Sequence, residues 1–147
     1  MMRFACIALA AALFSGAAAA QTAQPAFDMK GTWTGTNVGL VDGGPATHHP
    51  PGAQTTAAGP YRLHTQKFTY KFDGQEGRQF WGPMSSEHRA NIRMLGALSV
   101  NGKSIYMVNK DGYLDGDIID ADTIEMCYRH ALPDSAVIGC NIMKRQK

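Results

Sequence analysis

The chain has 147 residues, with 14 Lys and Arg against 12 Asp and Glu, a formal net charge of +2 and three cysteines. Charges this balanced, and scattered singly, exclude the electrostatic footprint of a nucleic-acid binder or of a protein held on an anionic membrane. The length suits one domain that closes its own core without a structural metal.

Residues 1–20 run from Met1-Met2-Arg3 through an apolar stretch, Phe4 to Phe14, to Ala18-Ala19-Ala20. This is the pattern of a secretory signal peptide cleaved near Ala20, and it predicts a secreted or periplasmic protein. Cys6 leaves with the leader, and no later apolar stretch has membrane-spanning length. Residues 21–29 read as a flexible N-terminal tail.

From Lys30 to Lys147 the period is two rather than 3.6, and turn signals recur about every ten residues. Eight strands are predicted, over 30–40, 61–72, 78–84, 92–100, 103–109, 113–119, 123–131 and 136–145. Short hairpin junctions such as Asn101-Gly102 and Asp120-Ala121-Asp122 imply a meander. The expected fold is all-β: an eight-stranded antiparallel up-and-down barrel forming a single domain, with a β-sandwich as the alternative. Alternate junctions fall at opposite ends. One end holds only tight turns; the other collects the 85–91 connection, the Lys110 turn, the Pro133 turn and the long 41–60 segment, read as a lid over the mouth.

The last two strands flank Leu132-Pro133-Asp134-Ser135. If Ala131 faces Ala136 across that loop, Cys127 falls opposite Cys140, close enough for a disulfide. The alternation then puts the bridge on the outer face, with Met126, Tyr128 and Met143 inside. Export into an oxidising compartment fits such a bond.

Gly31-x-Trp33 on the first strand, the basic Arg145 on the last, the long first loop and the eight-strand meander resemble the calycin superfamily of lipocalins, avidins and fatty-acid-binding proteins. The resemblance implies that Trp33 plugs the barrel base and that Arg145 packs across it as a cation over a ring face. It departs from avidin-like biotin sites, because only Trp81 remains beside Trp33. Gly31-Thr32-Trp33-Thr34-Gly35 also resembles the start of nitrobindin-like haem barrels, in which His130 would have to serve as the haem histidine; no cofactor is expected.

Carried around the barrel, the alternation directs His64, Gln66, Phe68, Tyr70, Met107, Met126, Tyr128, His130 and Asn141 into the interior as candidate ligand-binding residues, polar toward the mouth and aromatic below. Glycines 35, 96, 116 and 139 add no side chain there and are expected to leave room for a small, largely apolar ligand. His48, His49 and His88 lie in mouth loops without diagnostic metal spacing, so no metal site is assigned. No glycine-flanked serine, phosphate-cradling loop or free thiol is present, and a four-residue turn is not expected to orient Ser135, His130 and Asp134 as a triad; the chain reads as a non-enzyme. The leading reading is a binder of a small molecule in the barrel cavity. Two others stand beside it: a periplasmic protein-binding module such as a protease inhibitor, and a filled barrel with no ligand.

Overall fold

The computed structural model describes residues 26–43, 54–58, 61–133 and 135–147. The leader, His48, His49 and Asp134 lie outside them. The described residues form ten strands: β1 (Gly31–Gly43), β2 (Gln54–Ala58), β3 (Tyr61–Phe72), β4 (Gly74–Glu76), β5 (Gln79–Ser86), β6 (Ile92–Leu98), β7 (Ser104–Val108), β8 (Tyr113–Asp120), β9 (Thr123–Leu132) and β10 (Ser135–Arg145). No described residue is helical, so no helix among them is long and apolar enough to cross a membrane.

Eight of these strands close an antiparallel barrel, and the pairing of Phe68–Tyr70 in β3 with Met84–Ser86 in β5 joins the ends of the sheet. The two further strands are short annexes on the predicted set. β4 lies between the predicted strands 61–72 and 78–84, and β2 pairs with the first residues of β3. The segment expected to be a loop from 41 to 60 therefore carries strand at both ends, because β1 continues to Gly43 and Gln54–Ala58 finds free edge on β3.

Period-two alternation decides which side chains enter the barrel. Along β3, His64, Gln66, Tyr70 and Phe72 are buried while Lys67 and Lys71 are exposed. The Asn101-Gly102 junction sets Gly96 opposite Met107 and Leu98 opposite Ile105, as its turn length predicts. In the last hairpin Ala131 faces Ala136 and Cys127 faces Cys140, and the two cysteines are joined by a disulfide on the outer face.

The lower half of the barrel is solid. Trp33, Phe72, Phe80, Met94, Met107 and Met126 are all at most 2% exposed, and the Phe72 and Phe80 rings meet edge to face at 4.9 Å between centroids. Burying each such side chain contributes about 1.5–3 kcal/mol. The interior glycines do not leave the room expected of them, because neighbours already occupy it. A Cβ on Gly96 would lie 2.2 Å from the Phe80 ring, one on Gly35 would lie 2.5 Å from Met143 Sδ, one on Gly116 would lie 2.1 Å from Glu125 O, and one on Gly139 would lie 2.6 Å from Asn37 Oδ1. These glycines serve close packing.

The end of the predicted tail is also packed. Met29 is fully buried under the barrel, its N–H donates to Gln75 Oε1 at 2.7 Å, and its carbonyl accepts from Trp33 Nε1 at 2.9 Å. Gln75 Nε2 in turn donates to Phe27 O at 2.8 Å. Gly31, at φ 121°, makes the turn from this plug into β1, a conformation open to glycine and costly for other residues. Residues 26–29 are thus the floor of the barrel rather than part of a loose arm, because Met29 and Phe27 bury apolar surface there. The arm that a protease-inhibitor mechanism needs would have to lie upstream, outside the described residues.

Arg145 seals this floor, with its guanidinium carbon 4.2 Å from the Trp33 ring centroid and 5.8 Å from that of Phe27. It also donates to the carbonyls of Lys30, Asp28 and Ala121 and pairs with Asp122 at 3.2 Å.

Candidate functional site

At the opposite end the interior opens into a cup. Its wall is built from β1, β3 and β10, with side chains from β5, β8 and β9, and from the mouth loops between β5 and β6 and between β7 and β8. The cavity is about 60 Å³ and its surface is mostly apolar, room for a few waters or a small organic group.

Six of the nine predicted ligand-binding residues line it: His64, Gln66, Phe68, Tyr70, Tyr128 and Asn141. Three do not. Met107 and Met126 point inward as expected but lie below the cup, in the packed core cluster. His130 is buried at the rim and engaged away from the cavity: its Nδ1 is 2.9 Å from Tyr128 Oη and its Nε2 is 3.2 Å from Ser135 Oγ. The antiparallel register folds β10 back over β9 and so brings Ser135 to His130, while Asp134, the third residue weighed for a triad, lies outside the described residues. Ser135 is 7% exposed and does not line the cup. The array straps the hairpin together and holds the Tyr128 hydroxyl.

Three amides form a polar belt around the cup. Asn37 on β1 faces Gln66 on β3 in the ladder, and Asn141 comes from β10 on the other side. Gln66 Nε2 donates to Ser86 Oγ at 2.9 Å, and Asn141 Nδ2 contacts Met143 Sδ at 2.8 Å. Asn37 is 6% exposed, and its Oδ1 accepts no hydrogen bond among the described residues. Below the belt, Phe68, Tyr70 and Leu114 make the apolar base.

The two charged side chains that line the cup among the described residues pair with each other. Arg89 Nη1 from one loop meets Asp111 Oδ2 from the other at 2.6 Å, both side chains about four-fifths buried. Asp111 is set in place by Asn109, whose Oδ1 accepts from the N–H groups of Asp111 and Gly112 at 2.8 Å each. Burial, His88 and Arg62 hold the His64 imidazole below its usual value, against a smaller opposing pull from Glu87. The His64 and His88 rings lie nearly parallel at 6.4 Å. Burial pushes the Tyr70 phenol up, with Tyr128 adding to it. Tyr128 is itself pushed up to about 12 by burial and by Asp111, with Arg89 pulling the other way. Both phenols are neutral hydroxyls throughout the physiological range.

Arg89, Asn109, Asp111, Ser86 and Met84 line the cup without having been predicted. Asn109 had a local signal, an Asn before Lys-Asp-Gly, which favours an Asx turn. The Arg89–Asp111 pair had none, since the two residues are 22 apart in sequence and come together only when the barrel closes.

Among the described residues, no three His, Cys, Asp or Glu side chains are grouped so as to hold a metal ion. No protein-family model, curated protein or solved structure matches the chain.

Proposed function

We propose that this is an exported, calycin-type barrel that binds one small molecule in the mouth cup and performs no chemistry on it. The observation that carries this reading is the division of the interior. The lower barrel is filled with apolar side chains, whereas Asn37, His64 and Gln66 are buried polar groups gathered at one end around a cavity. Stability alone favours filling that end with apolar residues too, because buried polar groups cost free energy unless hydrogen-bonded. The leader and the disulfide support export. The occupant is held near the rim, since the packed core leaves no path to the floor.

Native mass spectrometry of the protein purified from its own source tests the reading. A small mass that is retained in the folded protein, and lost when His64 and Gln66 are both replaced by Leu, is the expected result. A bare protein mass, together with no thermal shift from any member of a broad metabolite library, overturns it.

A second reading, a protein-binding barrel, draws on the outer face. Trp81, Leu95, Val108 and Tyr113 stand in one ladder row across β5 to β8, and each is at least 40% exposed. Contiguous apolar surface of this kind marks contact sites. Replacing Trp81 and Leu95 by Ser should abolish any association seen by sedimentation; association that persists excludes this row.

A further inference from the structure

We propose that the cup selects neutral aromatic molecules carrying one hydrogen-bond donor, a phenol-type O–H or an indole- or aniline-type N–H, and that Asn37 Oδ1 is the acceptor that reads the donor. The inference rests on the cup-binding reading above and names the class of ligand.

Four observations carry it. First, Asn37 Oδ1 is buried with no hydrogen-bond partner among the described residues, and buried carbonyl oxygens are seldom left so. Second, its neighbours have their own contacts. The Gln66 amide nitrogen is committed to Ser86, that of Asn141 contacts Met143, and the Tyr128 hydroxyl is committed to His130. Asn37 Oδ1 is thus a buried acceptor of the belt without a partner among the described residues, and because it has almost no accessible surface a donor reaches it by displacing the side chains around it.

Third, the amide is held from behind by close packing. Gly139 lies against it so tightly that a Cβ there would fall 2.6 Å from Oδ1 and 2.8 Å from Nδ2. Its backbone occupies the space into which the amide could otherwise retreat, so the acceptor is preorganised. Fourth, Arg89 and Asp111, the charged side chains that line the cup among the described residues, pair with each other, which favours a neutral ligand there. The apolar base of Phe68, Tyr70 and Leu114 receives the apolar edge of the ligand, and a cavity of about 60 Å³ that opens at the mouth takes part of one ring while the rest stays at the rim.

The test compares matched probes on the disulfide-bonded, ¹⁵N-labelled protein, following backbone and side-chain amide resonances around Asn37, Gln66 and Tyr70. Phenol and anisole share a ring and differ in the donor; indole and N-methylindole make the second pair; benzoate supplies the ring with a charge. A site built around a hydrogen bond rejects the analogue that lacks it. Phenol and indole are therefore expected to bind at least about tenfold more tightly than their methylated partners and than benzoate. Asn37→Val should remove the donor preference, bringing phenol and anisole to equal affinity, with near-ultraviolet circular dichroism showing that the variant is folded. The donor preference in the unaltered protein is read independently of that variant. Equal binding of the matched probes, or tightest binding of benzoate, overturns the ligand class while leaving the cup a binding site. A preference that survives Asn37→Val overturns the role of Asn37. If no probe moves any cup resonance, this inference fails, and the cup-binding reading is decided by the mass-spectrometric test above.

Discussion

The Arg145 guanidinium sits over the Trp33 ring, carbon to ring centroid 4.2 Å, and donates to Asp28 O at 2.7 Å. One side chain thus joins the last strand, the first strand and the segment that precedes it. Arg145→Ala removes the stacked surface along with the charge and should lower stability by about 1–3 kcal/mol, read as a shift of the urea midpoint at constant slope. Arg145→Lys should recover only part of this, because an ammonium lacks the planar fork that reaches several carbonyls at once. An unchanged midpoint for the alanine variant would remove Arg145 from the account of the floor.

The Cys127–Cys140 bond spans 13 residues of sequence. Cross-linking a loop of this size limits the unfolded chain, so replacing both cysteines by Ser should cost about 3 kcal/mol. Native, oxidised protein should take up no thiol label at either position until it is reduced. Full labelling before reduction would contradict the hairpin register.

Two glycines on adjacent strands offer a contrast that needs no ligand. A Cβ on Gly139 would collide with the Asn37 amide and with Gly39 Cα at 2.8 Å, whereas a Cβ on Gly39 would meet nothing closer than 3.6 Å. Gly139→Ala should therefore destabilise by about 1–3 kcal/mol and displace the Asn37 resonances, while Gly39→Ala should leave both nearly unchanged. Equal effects from the two substitutions would mean that the amide is not packed against Gly139.

Alkaline stability follows from the phenols. The Tyr128 pKa is raised from 10.0 to about 12, so between those values the unfolded chain loses a proton that the folded protein keeps. Stability is fully present below pH 10 and falls as the pH rises toward 12. Tyr128→Phe should flatten this slope in denaturation curves taken from pH 9 to 12; the same slope in the variant assigns the effect elsewhere.

At the acid side the sign reverses. His64 has its pKa lowered from 6.5, so as the pH falls below 6.5 the unfolded chain takes up a proton before the folded protein does. Stability should decline on acidification through that window, and His64→Gln should reduce the decline. Phenol binding should weaken over the same range if protonated His64 disturbs the amide belt beside it.

The barrel was legible in the sequence because two-residue periodicity and turn chemistry are local properties. The eight predicted strands match the barrel strands to within a few residues, and the facing of Cys127 and Cys140 needed only a loop length. Inward and outward faces followed from the same alternation, which is why His64, Gln66, Tyr70, Tyr128 and Asn141 were found. Depth was not legible: alternation says that Met107 and Met126 point inside, but not that Phe72, Phe80 and Trp33 fill the space around them. Nor does a glycine reveal whether its missing side chain leaves a void or admits a neighbouring ring, as Phe80 against Gly96 shows. The plug at Met29 was missed because Ala26–Met29 has no strand period; its order comes from Trp33 nearby and from Gln75 and Arg145, both distant in sequence.

The floor plug has a consequence for how the molecule can be attached to anything else. Phe27 packs beside Trp33 at 6.4 Å between ring centroids, and the Gln146 N–H donates to Thr32 O at 2.8 Å, so the described chain enters and leaves through the same face. The cup opens on the opposite face. A tether, tag or neighbouring domain joined at either terminus would hold the protein by its base and present the cup outward, as a lamp is held by its socket.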